Sequence, residues 1–200
     1  MLAACGGSSK SSSPSTSAAQ PPPVNRTTTE QQQKGGGAGA LKAEAASAAT
    51  GDIPDNQVFL TLRNGKAGYS IKFPEGWAQS GGGNTVTFRD KNNIVRVVVT
   101  TGPPPTIASV RRQVAGLRGA RVTSPPTETT VSGRPAIHLV YETQSALSPV
   151  TGKTVTLGVD RYYLWSGHRV AIVDLGTPVA PVKVDNVDAY RLIGQSFRWR

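Results

Sequence analysis

Alternating apolar and polar residues predict that most of the chain after residue 57 forms β-strands. In residues 94–101, the β-branched side chains of Val95, Val97 and Val99 fall on one face, which favours a central strand. The same period-two pattern, bounded by turn residues, recurs along the chain. It predicts strands at residues 57–63, 69–73, 84–89, 94–101, 136–143, 154–165 and 169–175.

Two segments have helical spacing instead, with apolar residues three or four positions apart at 106–118 and 185–196. Gly119 is positioned to end the first helix, and Asp185 to cap the second. The glycine cluster Gly81–Gly83 is predicted to lie in a loop, and Pro125–Pro126 is predicted to interrupt the strand-rich second half. Several strands have apolar residues at both odd and even positions, and so on both faces, which indicates a sheet covered on both sides. The predicted fold is α+β, a mostly antiparallel sheet of six to eight strands sandwiched by helices.

The composition divides the chain near residue 52. Residues 5–52 consist largely of Ser, Thr, Pro, Gln, Gly and Ala, and no aromatic residue precedes Phe59. Such a segment buries too little apolar surface to offset the entropy of ordering it, so we predict a disordered tether. Residues 53–200 contain every Trp, Tyr and Phe and are long enough for one core.

The single cysteine of the chain indicates where in the cell the protein is located. Leu2-Ala3-Ala4-Cys5 resembles the bacterial lipobox, which implies that residues 1–4 are the end of a lipoprotein signal peptide. By this resemblance, Cys5 becomes the first mature residue and carries a diacylglycerol thioether that inserts into the membrane. A tether of about 47 residues has a root-mean-square reach of roughly 35–40 Å. The expected location is extracytoplasmic, lipid-anchored to the bacterial cell membrane.

The charge of the domain favours anionic partners. Residues 53–200 carry 18 basic and nine acidic side chains, a net charge of +9, although a solvated surface with a basic bias has the same composition. The densest basic group in the sequence is Arg111, Arg112, Arg118 and Arg121, which together with Lys153 we predict to contact a partner. We expect an envelope protein or an anionic polymer, not nucleic acid, and a monomeric chain.

Catalytic and metal-binding motifs are weak. His138 and His168 are 30 residues apart in sequence, and no G-x-S-x-G nucleophile elbow is present. A Ser-His-Asp site using His138 would need a serine and Asp160 or Asp174. We predict no catalytic residue, metal site or cofactor.

Three stretches in order resemble the PsbP-like superfamily, which includes the extrinsic photosystem II protein and bacterial lipoproteins of the LpqN type. They are GYSIKFPEGW at residues 68–77, VSGRPA at 131–136, and a closing helix followed by QSF at 195–197. The resemblance implies an antiparallel sheet between helices and no shared catalytic residue. For Trp77, we predict a place in the core.

The resulting expectation is a membrane-anchored envelope lipoprotein whose PsbP-like domain is a non-catalytic binding or assembly module. Two alternatives stay open: an envelope hydrolase that uses His138, and a cytoplasmic basic binding module in which Cys5 is accidental.

Overall fold

The computed structural model describes residues 50–147 and 152–200. Within them the chain forms ten strands and two helices. The strands are β1 (Phe59–Asn64), β2 (Tyr69–Pro74), β3 (Ala78–Gly82), β4 (Thr85–Asp90), β5 (Asn93–Thr101), β6 (Arg121–Val131), β7 (Arg134–Gln144), β8 (Thr156–Ser166), β9 (Arg169–Ala180) and β10 (Arg198–Trp199). The helices are α1 (Ile107–Ala115), between β5 and β6, and α2 (Val187–Gln195), between β9 and β10.

The strands form a large and a small sheet. The large sheet has the order β3-β4-β5-β9-β8-β7-β6, and the small sheet has the order β1-β2-β10. Every pair of neighbouring strands is antiparallel. This α+β architecture confirms the predicted fold class.

The large sheet is covered on both faces, as its doubly apolar strands predicted. On one face, Val95 and Phe88 pack with Tyr69 and Ile71 of the small sheet and with Ile193 of α2. On the other face, the buried side of α1 packs on β7 and β8, where its neighbours include Ile137, Leu139 and Tyr163. We refer to the second face as the α1 face.

The register defines two ends of the large sheet. At one end Asn93 starts β5, and Thr177, Gly158, Glu142 and Arg121 lie in successive pairing positions across β9 to β6. At the other end, Thr101 pairs with Arg169, and Arg169 pairs with Ser166. Because a strand rises about 3.3 Å per residue, the eight steps from Asn93 to Thr101 separate the two ends by about 26 Å.

The chain enters the domain at the Asn93 end, which we call the entry end. Two buried asparagines hold the entering segment there. The amide of Asn93 donates to the carbonyl of Gly51, and the amide of Asn186 donates to the same carbonyl at 3.2 Å. The backbone N–H of Ile53 donates to Oδ1 of Asn186 at 2.8 Å. The opposite end is called the far end below.

The glycine segment predicted as a loop belongs to an edge strand, and the proline pair predicted as an interruption lies within another. Gly81 and Gly82 belong to β3, whose five residues are all exposed. Pro125 and Pro126 lie within β6, at register shifts between Val122 and Thr127. Proline cannot donate a ladder hydrogen bond, so it is tolerated on an edge strand beside a bulge.

The helix ends also differ from those predicted. The first helix is capped by Gly116 rather than Gly119, and its N-cap Thr106 forms a capping box with Ser109. The N-cap of α2 is Asn186 rather than Asp185; the backbone N–H of Val187 nevertheless donates to Asp185 at 3.3 Å.

Candidate anion-binding surface

Six basic side chains gather at the far end of the domain. They come from four separate segments, residues 63–69, 131–134, 166–169 and 198–200. All are exposed except the half-buried Arg169. We call this group the basic end: Arg63, Lys66, Arg134, Arg169, Arg198 and Arg200.

The small sheet positions two of these arginines. Ser70 of β2 pairs with Arg63 of β1 on one side and with Arg198 of β10 on the other. Paired residues point to the same face of a sheet, and neighbouring strands lie about 4.8 Å apart. Arg63 and Arg198 therefore share a face, with their Cα atoms roughly 10 Å apart.

The C-terminal residues join the small sheet to the large one. The guanidinium of Arg169 lies 4.7 Å from the centroid of the Trp199 ring, a cation–π distance. Its Nη2 donates to the carbonyl of Arg200 at 3.3 Å, and the backbone N–H of Arg200 donates to Gly68 at 2.8 Å. These contacts hold Arg169 and Arg200 side by side.

The turn between β6 and β7 completes the surface. Nη1 of Arg198 donates to the hydroxyl of Ser132, which brings Arg134 beside the small sheet. A small cavity of about 90 Å³ lies there, and its lining includes Arg134, Arg198, Trp165 and Trp199. Aromatic and guanidinium groups therefore line the same recess.

Positive charge at the basic end is uncompensated by nearby carboxylates. Among residues 50–147 and 152–200, no ion pair within 4.0 Å joins any of its six cations to Asp or Glu. None of the ten acidic residues in this part of the chain lies in the four contributing segments. A patch of one sign with no internal partner attracts anionic ligands and raises their local concentration.

Four of the ten acidic residues in the described ranges lie together near the entry end. A cavity of about 740 Å³ lies between residues 52–55 and the start of α2, and its lining includes Asp52, Asp55, Asp185 and Asp188. Four carboxylates therefore lie near the segment by which the chain enters, and none of them is in the four segments that form the basic end.

The basic residues predicted from the sequence lie elsewhere. Arg111 and Arg112 are exposed on α1, and Arg118 is exposed in the connection to β6. Arg121 is at the entry end, where its Nη2 donates to Glu142 at 2.5 Å. Lys153 is exposed beside the base of the β7–β8 hairpin, also at the entry end. The structure tests none of these five for binding, and they stay predictions.

Sequence reasoning missed the basic end because its members are scattered. The signal that was present is the C-terminal run Phe197-Arg198-Trp199-Arg200, in which basic and aromatic residues alternate. Phe197 is buried and stacks on Tyr69 with ring centroids 5.5 Å apart. Trp199 meets Phe197 edge-on, so alternation points the aromatic rings inward and the arginines outward.

His138, the histidine of the alternative hydrolase hypothesis, hydrogen-bonds to a carboxylate but to no nucleophile in the described part of the chain. Nε2 of His138 lies 2.8 Å from Oδ1 of Asp160, and its ring stacks on Tyr162 with centroids 4.5 Å apart. Within the described residues, no hydroxyl or thiol side chain hydrogen-bonds to the His138 ring. A Ser-His-Asp mechanism requires that bond.

Residues 50–147 and 152–200 offer neither a metal-binding cluster nor a membrane-spanning helix. No group of three or more Cys, His, Asp or Glu side chains in these ranges is arranged to hold a metal ion. Neither α1 nor α2 has the length and apolar character needed to cross a bilayer. Cys5 lies outside the described residues.

Comparison with solved structures identifies the fold. No protein-family model matches the chain, and no curated protein sequence matches it. The solution structure of cyanobacterial PsbP (CyanoP) from Synechocystis sp. PCC 6803 is 16% identical with a TM-score of 0.52, covering 76% of this chain and 99% of that one.

Two further structures are more distant. A crystal structure from Bacteroides thetaiotaomicron is 11% identical with a TM-score of 0.45, and the match covers 70% of this chain and 48% of the Bacteroides chain. LpqN, described as involved in cell envelope biogenesis of Mycobacterium tuberculosis, is 15% identical with a TM-score of 0.39, and the match covers 72% of this chain and 91% of that chain.

The predicted core residue Trp77 packs against the main hydrophobic cluster. Together with the match to nearly the whole of the cyanobacterial protein, the two-sheet architecture shows that this domain has the PsbP-like fold.

Proposed function

We propose that the protein is a lipid-anchored, non-catalytic binding module of the bacterial envelope, and that its basic end binds an anionic polymer. The observation that carries the proposal is the group of six cations at the far end, which has no carboxylate partner within the described residues. A fold by itself does not specify a ligand, so the charge arrangement supplies the argument.

The position of the tether is compatible with binding outside the membrane. The chain enters at the entry end, about 26 Å from the far end along β5, where Asn93 and Asn186 hold residues 51–53. If Cys5 is lipidated, the membrane attachment leads to the entry end of the domain. A disordered tether with a reach of roughly 35–40 Å would let the basic end reach polymers outside the membrane.

The chemistry of the site favours a chain of phosphate or carboxylate groups. Guanidinium groups bind both through paired hydrogen bonds. Arg63 and Arg198 have Cα atoms roughly 10 Å apart, and the other four cations extend the positive surface over two further segments. An extended polyanion would contact several of the six cations at once, and its binding would weaken steeply with added salt.

A matched pair of variants tests the placement of the site. One replaces Arg63, Lys66, Arg134 and Arg198 with Gln; the other replaces Arg111, Arg112, Arg118 and Arg121 with Gln, the same change in net charge. Binding of the full chain to long-chain polyphosphate is measured at low and high salt. We expect the first variant to lose at least 90% of binding and the second to keep most of it.

The reverse result would place the partner on α1 and the connection that follows it, as predicted from the sequence. Equal losses in the two variants would show that binding depends only on the net charge of the domain. Vesicles of phosphatidylglycerol form a second arm. Capture by these vesicles without binding to polyphosphate would replace the polymer with a lipid surface as the ligand.

The anchor is tested separately. The gene, with its upstream DNA, is expressed in a related bacterium, and the intact mass of the mature protein is measured. We expect a chain that starts at Cys5 with added acyl mass, and a Cys5→Ser variant that is not lipidated. An unmodified chain in the soluble fraction would overturn the proposed location and favour the cytoplasmic alternative.

A further inference from the structure

A second recess lies on the α1 face, on the other side of the large sheet from the small sheet. Its volume is about 170 Å³, and it lies between β4, β5, β7, β8 and β9 and the segment that follows β7. The side chains that line it come from several elements and include Arg89, Ile94, Arg96, Tyr141, Val159 and Asp174. This recess shares no residue with the basic end.

The floor of the recess is apolar and is hollowed by a glycine. Ile94, Gly176 and Val159 lie in successive pairing positions on β5, β9 and β8. A Cβ atom at Gly176 would lie 3.6 Å from Val159 Cγ2 and 3.7 Å from Ile94 Cβ, which is ordinary van der Waals contact. Glycine therefore leaves open a space that a methyl group would occupy in ordinary contact.

Two exposed arginines rim this floor. Arg89 pairs with Ile94, and Arg96 pairs with Thr87, so the two arginines are diagonal neighbours on one face of adjacent strands. Such positions have Cα atoms about 7–8 Å apart, close enough for both guanidinium groups to reach one anion. In the described residues, neither arginine is ion-paired.

The carboxylate at the recess already has a cation of its own. Asp174 accepts from Nε and Nη2 of Arg161 at 2.6 and 2.8 Å, and Nη2 of Arg161 also donates to the Tyr141 hydroxyl at 3.1 Å. Arg161 and Asp174 are 7% and 6% exposed. Because Arg161 neutralises Asp174, the charges of Arg89 and Arg96 leave the recess with a net positive charge.

We propose that this recess binds a small organic anion, with its carboxylate or phosphate between Arg89 and Arg96 and a short apolar body on the floor beside Gly176. The volume equals that of about six water molecules at ~30 Å³ each, which limits the ligand to a small acid. An apolar floor with a few convergent polar groups is typical of ligand sites. The inference does not depend on the polymer site at the far end.

The test uses hexanoate as the probe and hexan-1-ol as its uncharged counterpart, titrated into the ¹⁵N-labelled full chain. We expect hexanoate to shift the amide signals of Ile94, Val159 and Gly176, and hexan-1-ol to bind at least tenfold more weakly. Arg89→Gln with Arg96→Gln should weaken hexanoate binding at least tenfold. The matched control, Lys72→Gln with Lys183→Gln, makes the same change in net charge at exposed positions outside both sites and should leave it within twofold of the parent chain.

Gly176→Ala provides a test that leaves every charge in place. Its methyl group would occupy the floor, and hexanoate should bind more weakly although Arg89 and Arg96 are unchanged. The proposal would be overturned by absent shifts at 10 mM hexanoate, by equal binding of the alcohol, or by unchanged binding to the arginine variant.

Discussion

The buried ion pair between Arg161 and Asp174 allows a quantitative test of how this sheet is stabilised. Their side chains are only 8% and 9% exposed. Replacing Asp174 with Leu, which has nearly the same shape, removes both hydrogen bonds to Arg161 and leaves its guanidinium buried with only the Tyr141 hydroxyl as partner. An uncompensated buried charge costs about 3–5 kcal/mol. We expect that loss in the free energy of unfolding.

The double variant Arg161→Met with Asp174→Leu separates charge burial from packing. It removes both charges, so no desolvated ion is left, and the side chains keep similar lengths. Such replacements are often neutral or stabilising. We therefore expect the double variant to be more stable than either single variant, with a coupling energy of about 3 kcal/mol or more.

Urea denaturation followed by tryptophan fluorescence measures these differences. With a slope near 2 kcal/mol per molar urea, a loss of ~4 kcal/mol lowers the midpoint by roughly 2 M. The control is the surface pair between Arg121 and Glu142, whose side chains are 72% and 29% exposed. Arg121→Met should cost under about 1 kcal/mol. The reasoning is refuted if the single variants at 161 and 174 cost no more than this control, or if their effects add in the double variant.

Three further predictions concern the core and the entry end. Burial raises the pKa of Tyr141 to about 12, whereas an unfolded tyrosine titrates near 10. The contribution of this residue to the free energy of unfolding should therefore be complete below pH 10 and fall between pH 10 and 12, by up to ~1.4 kcal/mol per pH unit. Tyr141→Phe should flatten this pH dependence of stability, measured by urea titration. Asn186→Ala removes the acceptor of the Ile53 N–H and should speed hydrogen exchange at that amide, while unchanged protection would show that the entering segment is held by other contacts. Leu139→Ala, at a fully buried position, should cost about 2–5 kcal/mol in thermal unfolding, whereas Leu147→Ala, at a side chain 68% exposed, should stay within about 0.5 kcal/mol.

Much of the secondary structure could be predicted because its signals are local. The alternation of Val95, Val97 and Val99 predicted a central strand, and β5 has strands on both sides in the large sheet. The helical spacing before Gly116 and after Asn186 likewise predicted both helices.

The predictions failed where burial was partial. The strand β3 is exposed along its whole length, so its sequence lacks the alternating apolar residues by which the other strands were predicted. In β6 the Pro125–Pro126 pair does mark the predicted interruption, as register shifts in the pairing with β7, but the edge strand around it was not predicted.

Most of the strands, both helices and the basic character of the domain follow from the sequence alone, because side-chain periodicity and net charge can be read without knowing which strands meet. The location of the charge depends on the tertiary structure. Sheet order and register bring Arg63, Arg134, Arg169 and Arg198 together from four separate segments, whereas the densest basic run, near Arg111, spreads over α1 and its connection to β6. Long-range strand pairing sets these contacts, and the spacing of residues along one chain does not encode it.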